Sequence, residues 1–217
     1  MSILSTLPSQ KGHPMKTGYT DITVILDRSG SMSIVKNDTI GGFNTFIEEQ
    51  KKAPGDGTLT LVQFDDQYQV DYLRVPLADV KPLDESTYVP RGWTALLDAI
   101  GKTVNTLGET YAKMPEDERP ENVVLVIQTD GEENRSQEFK TDQIKEMLER
   151  QAQDYKWQII YLGANQDAFK VGAAMGIRAA STMNYAGTGQ GTKDALIRTS
   201  AAVIQYRASN TSDISLS

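Results

Sequence analysis

The sequence predicts an α/β protein: a doubly wound, mostly parallel six-stranded sheet with one antiparallel edge strand and helices on both faces. Three observations predict it. Apolar runs of strand length alternate with segments whose apolar residues recur every three or four positions. Two of the runs, Val24-Ile25-Leu26 and Val123-Val124-Leu125-Val126-Ile127, lead into an acid, Asp27 directly and Asp130 after Gln128-Thr129. One pair of runs, 59–64 and 70–77, is joined by the short link Asp65-Asp66-Gln67, which permits only an antiparallel hairpin.

Residues 1–17 hold Pro8, Gly12, Pro14 and the single histidine, His13, and read as a polar arm ahead of a domain covering 18–208. The first strand is expected at 20–27. A helix at 34–53 follows, with Ile40, Phe43 and Ile47 at helical spacing. Gly41-Gly42 inside it costs about 1 kcal/mol per residue against alanine, so a kink or close packing is expected there. Pro54-Gly55-Asp56-Gly57 ends it. Asp65 and Asp66 read as turn formers rather than metal ligands. A loop at 78–93 then brings in Thr94. Leu97, Ile100, Val104, Leu107 and Tyr111 mark an amphipathic helix, and 113–120 an acidic solvated turn. Strands at 123–129, 157–162 and 180–185 alternate with helices at 141–153, 167–175 and 192–207. Residues 187–192 are glycine-rich but lack the lysine and the strong preceding strand of a phosphate-binding loop, and read as a flexible connector. Residues 209–217 form a polar, serine-rich tail.

At 217 residues the chain fits one domain with a substantial core. A formal net charge of -7 argues against nucleic-acid binding, which needs a field of lysine and arginine. With no cysteine there is no disulfide framework or thiol chemistry, which suits a reducing compartment. No run of about 18 apolar residues occurs, so no membrane span is expected. A cytoplasmic location follows as the expectation, or a virion-associated one if the chain is phage-encoded.

Asp27-Arg28-Ser29-Gly30-Ser31 places one carboxylate and two hydroxyls on the turn leaving a buried strand. These are oxygen donors only, which suit a hard divalent cation such as Mg²⁺. Alone, the string reads equally as a helix start capped by Ser29 or Ser31. Downstream, Thr94 opens a strongly periodic helix, and Asp130-Gly131 repeats the strand-then-acid theme. In this order the residues resemble a von Willebrand factor A domain with a metal-ion-dependent adhesion site. The wording Asp27-Arg28-Ser29-Gly30-Ser31-Met32 is similar to bacterial and phage members, and the likeness covers roughly 18–208.

The resemblance implies that Asp27, Ser29, Ser31, Thr94 and Asp130 hold Mg²⁺, with Mn²⁺ or Ca²⁺ as alternatives. It implies the strand order 3-2-1-4-5-6, with the site beyond the carboxyl ends of the strands at the switch point. It also implies a non-enzymatic module whose metal takes an Asp or Glu of a protein partner in place of water. Thr94 would coordinate directly, and Asp27 and Asp130 partly through water. Arg28 and Trp93, at variable motif positions, are expected on the partner-binding rim. Helix N-termini near Ser31 and Thr94 would favour an incoming carboxylate. Two other functions remain open: an Mg²⁺-dependent hydrolase or phosphotransferase, and a structural or adaptor part of a larger assembly held through the termini. Such an assembly would be a stress-response complex, an ATPase-associated complex or a phage particle. Against the hydrolase, no histidine or lysine is placed by sequence to activate Ser29 or Ser31.

Overall fold

The computed structural model describes residues 16–164, 167–209 and 213–216, so the expected arm and its His13 lie almost wholly outside the described residues. Six strands are present among the described residues: β1 (Lys16–Asp27), β2 (Gly57–Phe64), β3 (Tyr68–Pro76), β4 (Pro120–Thr129), β5 (Gln158–Ala164) and β6 (Thr182–Tyr185). They form one sheet in the order β3-β2-β1-β4-β5-β6. Every pairing is parallel except β2 with β3, which is antiparallel. The described residues also form five α-helices, four between strands and one after β6: α1 (Lys36–Lys52), α2 (Leu96–Lys113), α3 (Thr141–Asp154), α4 (Ala168–Ala174) and α5 (Gly189–Ser209).

Because side chains alternate along a strand, β1 feeds two cores. Ile22, Val24 and Leu26 pack with Phe43 and Phe46 of α1 and Leu196 and Val203 of α5. Ile25 points the other way, into a core with Leu97, Ile100 and Leu107 of α2 and Leu148 of α3. The chain leaves β1 for one face of the sheet and leaves β4 for the other. Adjacent strands that part in this way open a crevice at their carboxyl ends.

Three local differences from the sequence expectation have physical causes. A 3-10 turn, Gly30–Val35, precedes α1, so the helix begins at Lys36. The expected flexible connector is largely the first turn of α5, where the Thr188 hydroxyl accepts from the Gly191 amide at 3.2 Å. Within the expected polar tail, Ile214 and Leu216 are buried, and the Leu216 amide donates to the Ala180 carbonyl at 2.8 Å. Their alternation buries both on one side, as in a strand. No helix among the described residues is long and apolar enough to cross a membrane.

The Gly41-Gly42 pair separates into two cases. A Cβ on Gly42 would lie 2.8 Å from Leu196 Cδ1 and 3.4 Å from its Cβ, whereas one on Gly41 meets nothing within 4 Å. α5 therefore packs closely against Gly42 and not against Gly41. Gly41→Ala is expected to raise stability by about 0.5–1 kcal/mol, and Gly42→Ala to lower it by about 1–3 kcal/mol. Urea unfolding of the two variants measures both.

Candidate metal centre

The ends of β1 and β4 lie side by side, Leu26 opposite Gln128, and each delivers an acid to the rim. Asp27 is fully buried. Its Oδ1 accepts from the Ser29 amide at 2.6 Å, and its Oδ2 from the Thr129 hydroxyl at 2.5 Å. Ser31 Oγ donates to Asp130 Oδ1 at 2.6 Å and lies 3.1 Å from Ser29 Oγ. A hydroxyl has one proton, so Ser29 is the donor of that serine pair. Thr94 reaches the same place: a Cβ built on Gly131 would stand 2.8 Å from Thr94 Oγ1 and 3.6 Å from Ser31 Oγ. Asp27, Ser29, Ser31 and Asp130 are thus linked in a chain of hydrogen bonds, and Thr94 faces them across Gly131.

Burial pushes the Asp27 carboxyl up to about 6, against the lowering effect of its bonds from Thr129 and Ser29, and the charge of Asp130 adds to the rise. Burial raises Asp130 as well, opposed by the Ser31 bond. Among the described residues neither carboxylate has an ion pair. The donor set is what a hard divalent cation needs: two carboxylates to balance its charge and three hydroxyls to fill its shell. Among the described residues no three His, Cys, Asp or Glu side chains are grouped to hold an ion, so an ion here would depend on the hydroxyls. Nor does any lysine or arginine among them hydrogen-bond Ser29 or Ser31.

Several supporting residues carry no signature in the sequence. The Tyr88 hydroxyl donates to the Asp27 carbonyl at 2.6 Å, and that of Tyr185 to the Thr129 carbonyl at 3.3 Å, so a buried tyrosine pins the end of each strand. Asn134 grips Thr94 twice, its Oδ1 accepting from the Thr94 amide at 3.0 Å and its own amide donating to the Thr94 carbonyl at 3.1 Å. The first amides of α2 are also taken, Leu97 by Glu133 Oε2 and Asp98 by Ser136 Oγ. The free helix N-terminus expected near Thr94 is therefore occupied by the chain's own side chains.

Arg28 corrects a second expectation. Predicted on the exposed rim, it is only 5% exposed and turned inward. Its Nη1 donates to Gln69 at 2.7 Å, and its Nε lies 3.3 Å from Asp65 Oδ2, a contact of charge rather than a hydrogen bond. Asp65 is what draws it in. As expected of a turn former, Asp65 accepts from the Gln67 amide at 2.6 Å. It is also fully buried and accepts from Arg91 Nε at 2.8 Å, while its carbonyl accepts from the Ala95 amide at 2.9 Å. One carboxylate thereby ties the hairpin to the loop after β1 and to the loop bearing Thr94. Trp93, by contrast, stands 63% exposed.

Comparison with protein-family models and with curated proteins gives no match. Solved structures do match. The chain is similar to proximal thread matrix protein 1 from the mussel byssus with a zinc-occupied MIDAS motif, at TM-score 0.59 and 12% identity. That match covers 91% of this chain and 49% of that one, so the chain spans about half the length of the mussel protein. It has the von Willebrand factor A fold. It is also similar to the manganese-loaded TRAP protein of Plasmodium vivax, at TM-score 0.57 and 15% identity over 84% of this chain and 73% of that one. A third likeness is to the ArnB paralog VWA2 of Sulfolobus acidocaldarius, at TM-score 0.54 and 14% identity, covering 86% and 46%.

Removing one partner of a buried charge cluster costs about 3–5 kcal/mol. Arg91 is half-exposed, so most of that cost at Asp65 comes through Arg28. Asp65→Asn keeps the shape of the turn acceptor and is expected to lower stability by about 3 kcal/mol in urea unfolding. A loss below about 0.5 kcal/mol, the range of ordinary surface substitutions, would show that Asp65 is only a turn former.

Proposed function

We propose that this rim binds Mg²⁺ through Asp27, Ser29, Ser31, Thr94 and Asp130, and that the bound ion takes an Asp or Glu side chain of a protein partner as its outermost ligand. One observation carries the proposal: two carboxylates without a cationic partner among the described residues converge with two seryl hydroxyls at the crevice where the chain switches faces. Burying a charge costs several kcal/mol unless something compensates it, and a divalent ion would compensate both acids at once. The zinc-occupied MIDAS motif named for the mussel protein and the manganese named for the Plasmodium protein support a bound metal in this fold, with Mn²⁺ and Ca²⁺ as alternatives to Mg²⁺ here.

The rim would act as a binding module rather than an enzyme. Its hydroxyls donate within the acid cluster, and five protein donors would leave one of the six positions of Mg²⁺ for a ligand from outside. Attraction would be local to the metal, because the net charge of -7 repels acidic partners at a distance. Binding strength would then depend on the ion, and encounter rate on ionic strength.

Thermal melts test the metal. A ligand at 100-fold its Kd adds about 2.7 kcal/mol, which for a chain of this size raises Tm by about 5–10 °C. Wild type is expected to gain this with Mg²⁺ or Mn²⁺ over EDTA, and Asp130→Ala to gain nothing. The effect has a pH signature. Asp27 sits at about 6 in the metal-free fold against an ordinary 3.8, so between those values the fold keeps a proton that the unfolded chain has lost. Metal-free stability from this group falls as pH rises through that window. Metal needs the carboxylate, so the metal-induced rise should be full above about pH 6 and fade towards pH 4. Equal Tm in EDTA and in millimolar Mg²⁺ or Mn²⁺ at pH 7, with both proteins folded, would contradict the proposal.

A further inference from the structure

We infer a second ligand site, at the end of the sheet opposite the metal rim: a cavity that takes a free amino acid with an aromatic side chain. The cavity has a volume of about 460 Å³ and lies between the last turns of α2 and α3, beside the starts of β4 and β5. Pockets for small ligands have volumes of about 300–1,000 Å³. Asp130 follows the last residue of β4, and the cavity lies at its first, about 30 Å away along a strand of this length. Neither site depends on the other.

The lining is largely aromatic. Trp157, only 4% exposed, meets the half-buried Tyr111 edge-on, with ring centroids 5.9 Å apart and planes at 81°. The Tyr111 hydroxyl donates to Asp21 Oδ2 at 2.8 Å, which fixes that ring. Tyr155, 58% exposed, adds a third ring at the cavity. Aromatic rings of a ligand pack on such surfaces edge-to-face or offset-stacked.

The charged groups at the cavity are of both signs. Arg119, Glu121 and Val123 stand at alternate positions and all line it, so Arg119 and Glu121 are neighbours on one side of the chain, about 7 Å apart. Arg119 is half-buried; its Nε donates to the Met114 carbonyl at 3.3 Å, and it has no ion pair among the described residues. Glu121 Oε2 accepts from the Gly18 amide at 2.6 Å, which holds the side chain and leaves Oε1 for a ligand. Arg150 also lines the cavity, and its acid, Asp154, is 3.9 Å away with both side chains about two-thirds exposed. Glu116, Asp117 and Glu118 are exposed in the turn before Arg119. These acids disfavour a simple anion, and the two arginines disfavour a simple cation. A zwitterion carries no net charge and satisfies both signs: its carboxylate pairs with the Arg119 guanidinium and its ammonium with Glu121. An aromatic side chain on the same molecule then covers Trp157 and Tyr111.

The chain has two tryptophans, so in a Trp93→Phe background the emission comes from Trp157 at the cavity. Titration with L-phenylalanine is expected to change that emission and to saturate. Phenylacetate, which lacks the ammonium, and phenethylamine, which lacks the carboxylate, should each bind about tenfold more weakly, one decade in Kd. Arg119→Gln and Glu121→Gln should each cost phenylalanine a similar factor with Tm unchanged. Gly108→Leu blocks the cavity: a Cβ there meets nothing within 4 Å, so the larger side chain fits and fills the space. It should abolish the emission change with Tm unchanged or raised. No emission change with millimolar phenylalanine, in protein that melts as wild type, would overturn the inference. Equal binding of phenylalanine, phenylacetate and phenethylamine would overturn it too, since the cavity would then recognise a ring alone, as would binding that survives Gly108→Leu.

Discussion

A carboxylate held away from water at the end of a strand is the constraint on which the rim depends. Asp27 is fully buried, and burial outweighs the bonds it accepts from Ser29 and Thr129, so its carboxyl rises to about 6. The guanidinium next to it in sequence does not neutralise it, because Arg28 turns to Asp65. The neighbours of Asp27 either donate hydrogen bonds to it or, like Asp130, add to its charge. A strand end of this kind is stable as a neutral acid, or as an anion beside a cation from outside. The proposed ion is the second case, and it would make one strand end both a structural liability and a binding device.

Around that acid the fold builds stiffness rather than new chemistry. Tyr88 and Tyr185 hold the backbone where β1 and β4 end. Asn134 holds Thr94 at both backbone groups, and Asp65 joins three loops through one buried carboxylate. A site assembled from three separate segments binds well only if those segments are fixed before the ligand arrives, since ordering them at that moment subtracts from affinity. These residues touch no ligand in the proposed arrangement. They would keep the five proposed oxygen donors within reach of one point.

The sheet was legible in the sequence because apolar runs and helical periods alternate everywhere but at the hairpin, and the hairpin because a three-residue link allows no crossover. The residues of the cluster were legible because acids at strand ends, with hydroxyls one turn later, stand out against apolar runs. What sequence did not reveal depends on tertiary partners. Arg28 looks exposed beside Gly30 and two serines, and only the fold brings a buried acid from 37 positions downstream within reach of it. Asp65 gives a true turn signal that hides a second role. Thr188 becomes a helix cap in a stretch rich enough in glycine to look flexible, and Ile214 and Leu216 find a core that a serine-rich context does not suggest. Local pattern reports periodicity and turn chemistry, and it is blind to pairings made across the sheet.

The central claim is that one divalent ion sits among these five side chains. Anomalous diffraction from crystals grown with Mn²⁺ tests it most directly, because it locates the ion without reference to stability or binding partner. The account predicts a single strong peak within coordination distance of Ser29, Ser31 and Thr94 hydroxyl oxygens, with Asp27 and Asp130 beside it directly or through water, and no such peak in Asp130→Ala crystals. A well-ordered rim with no anomalous density there, or with the ion bound elsewhere on the chain, would contradict it.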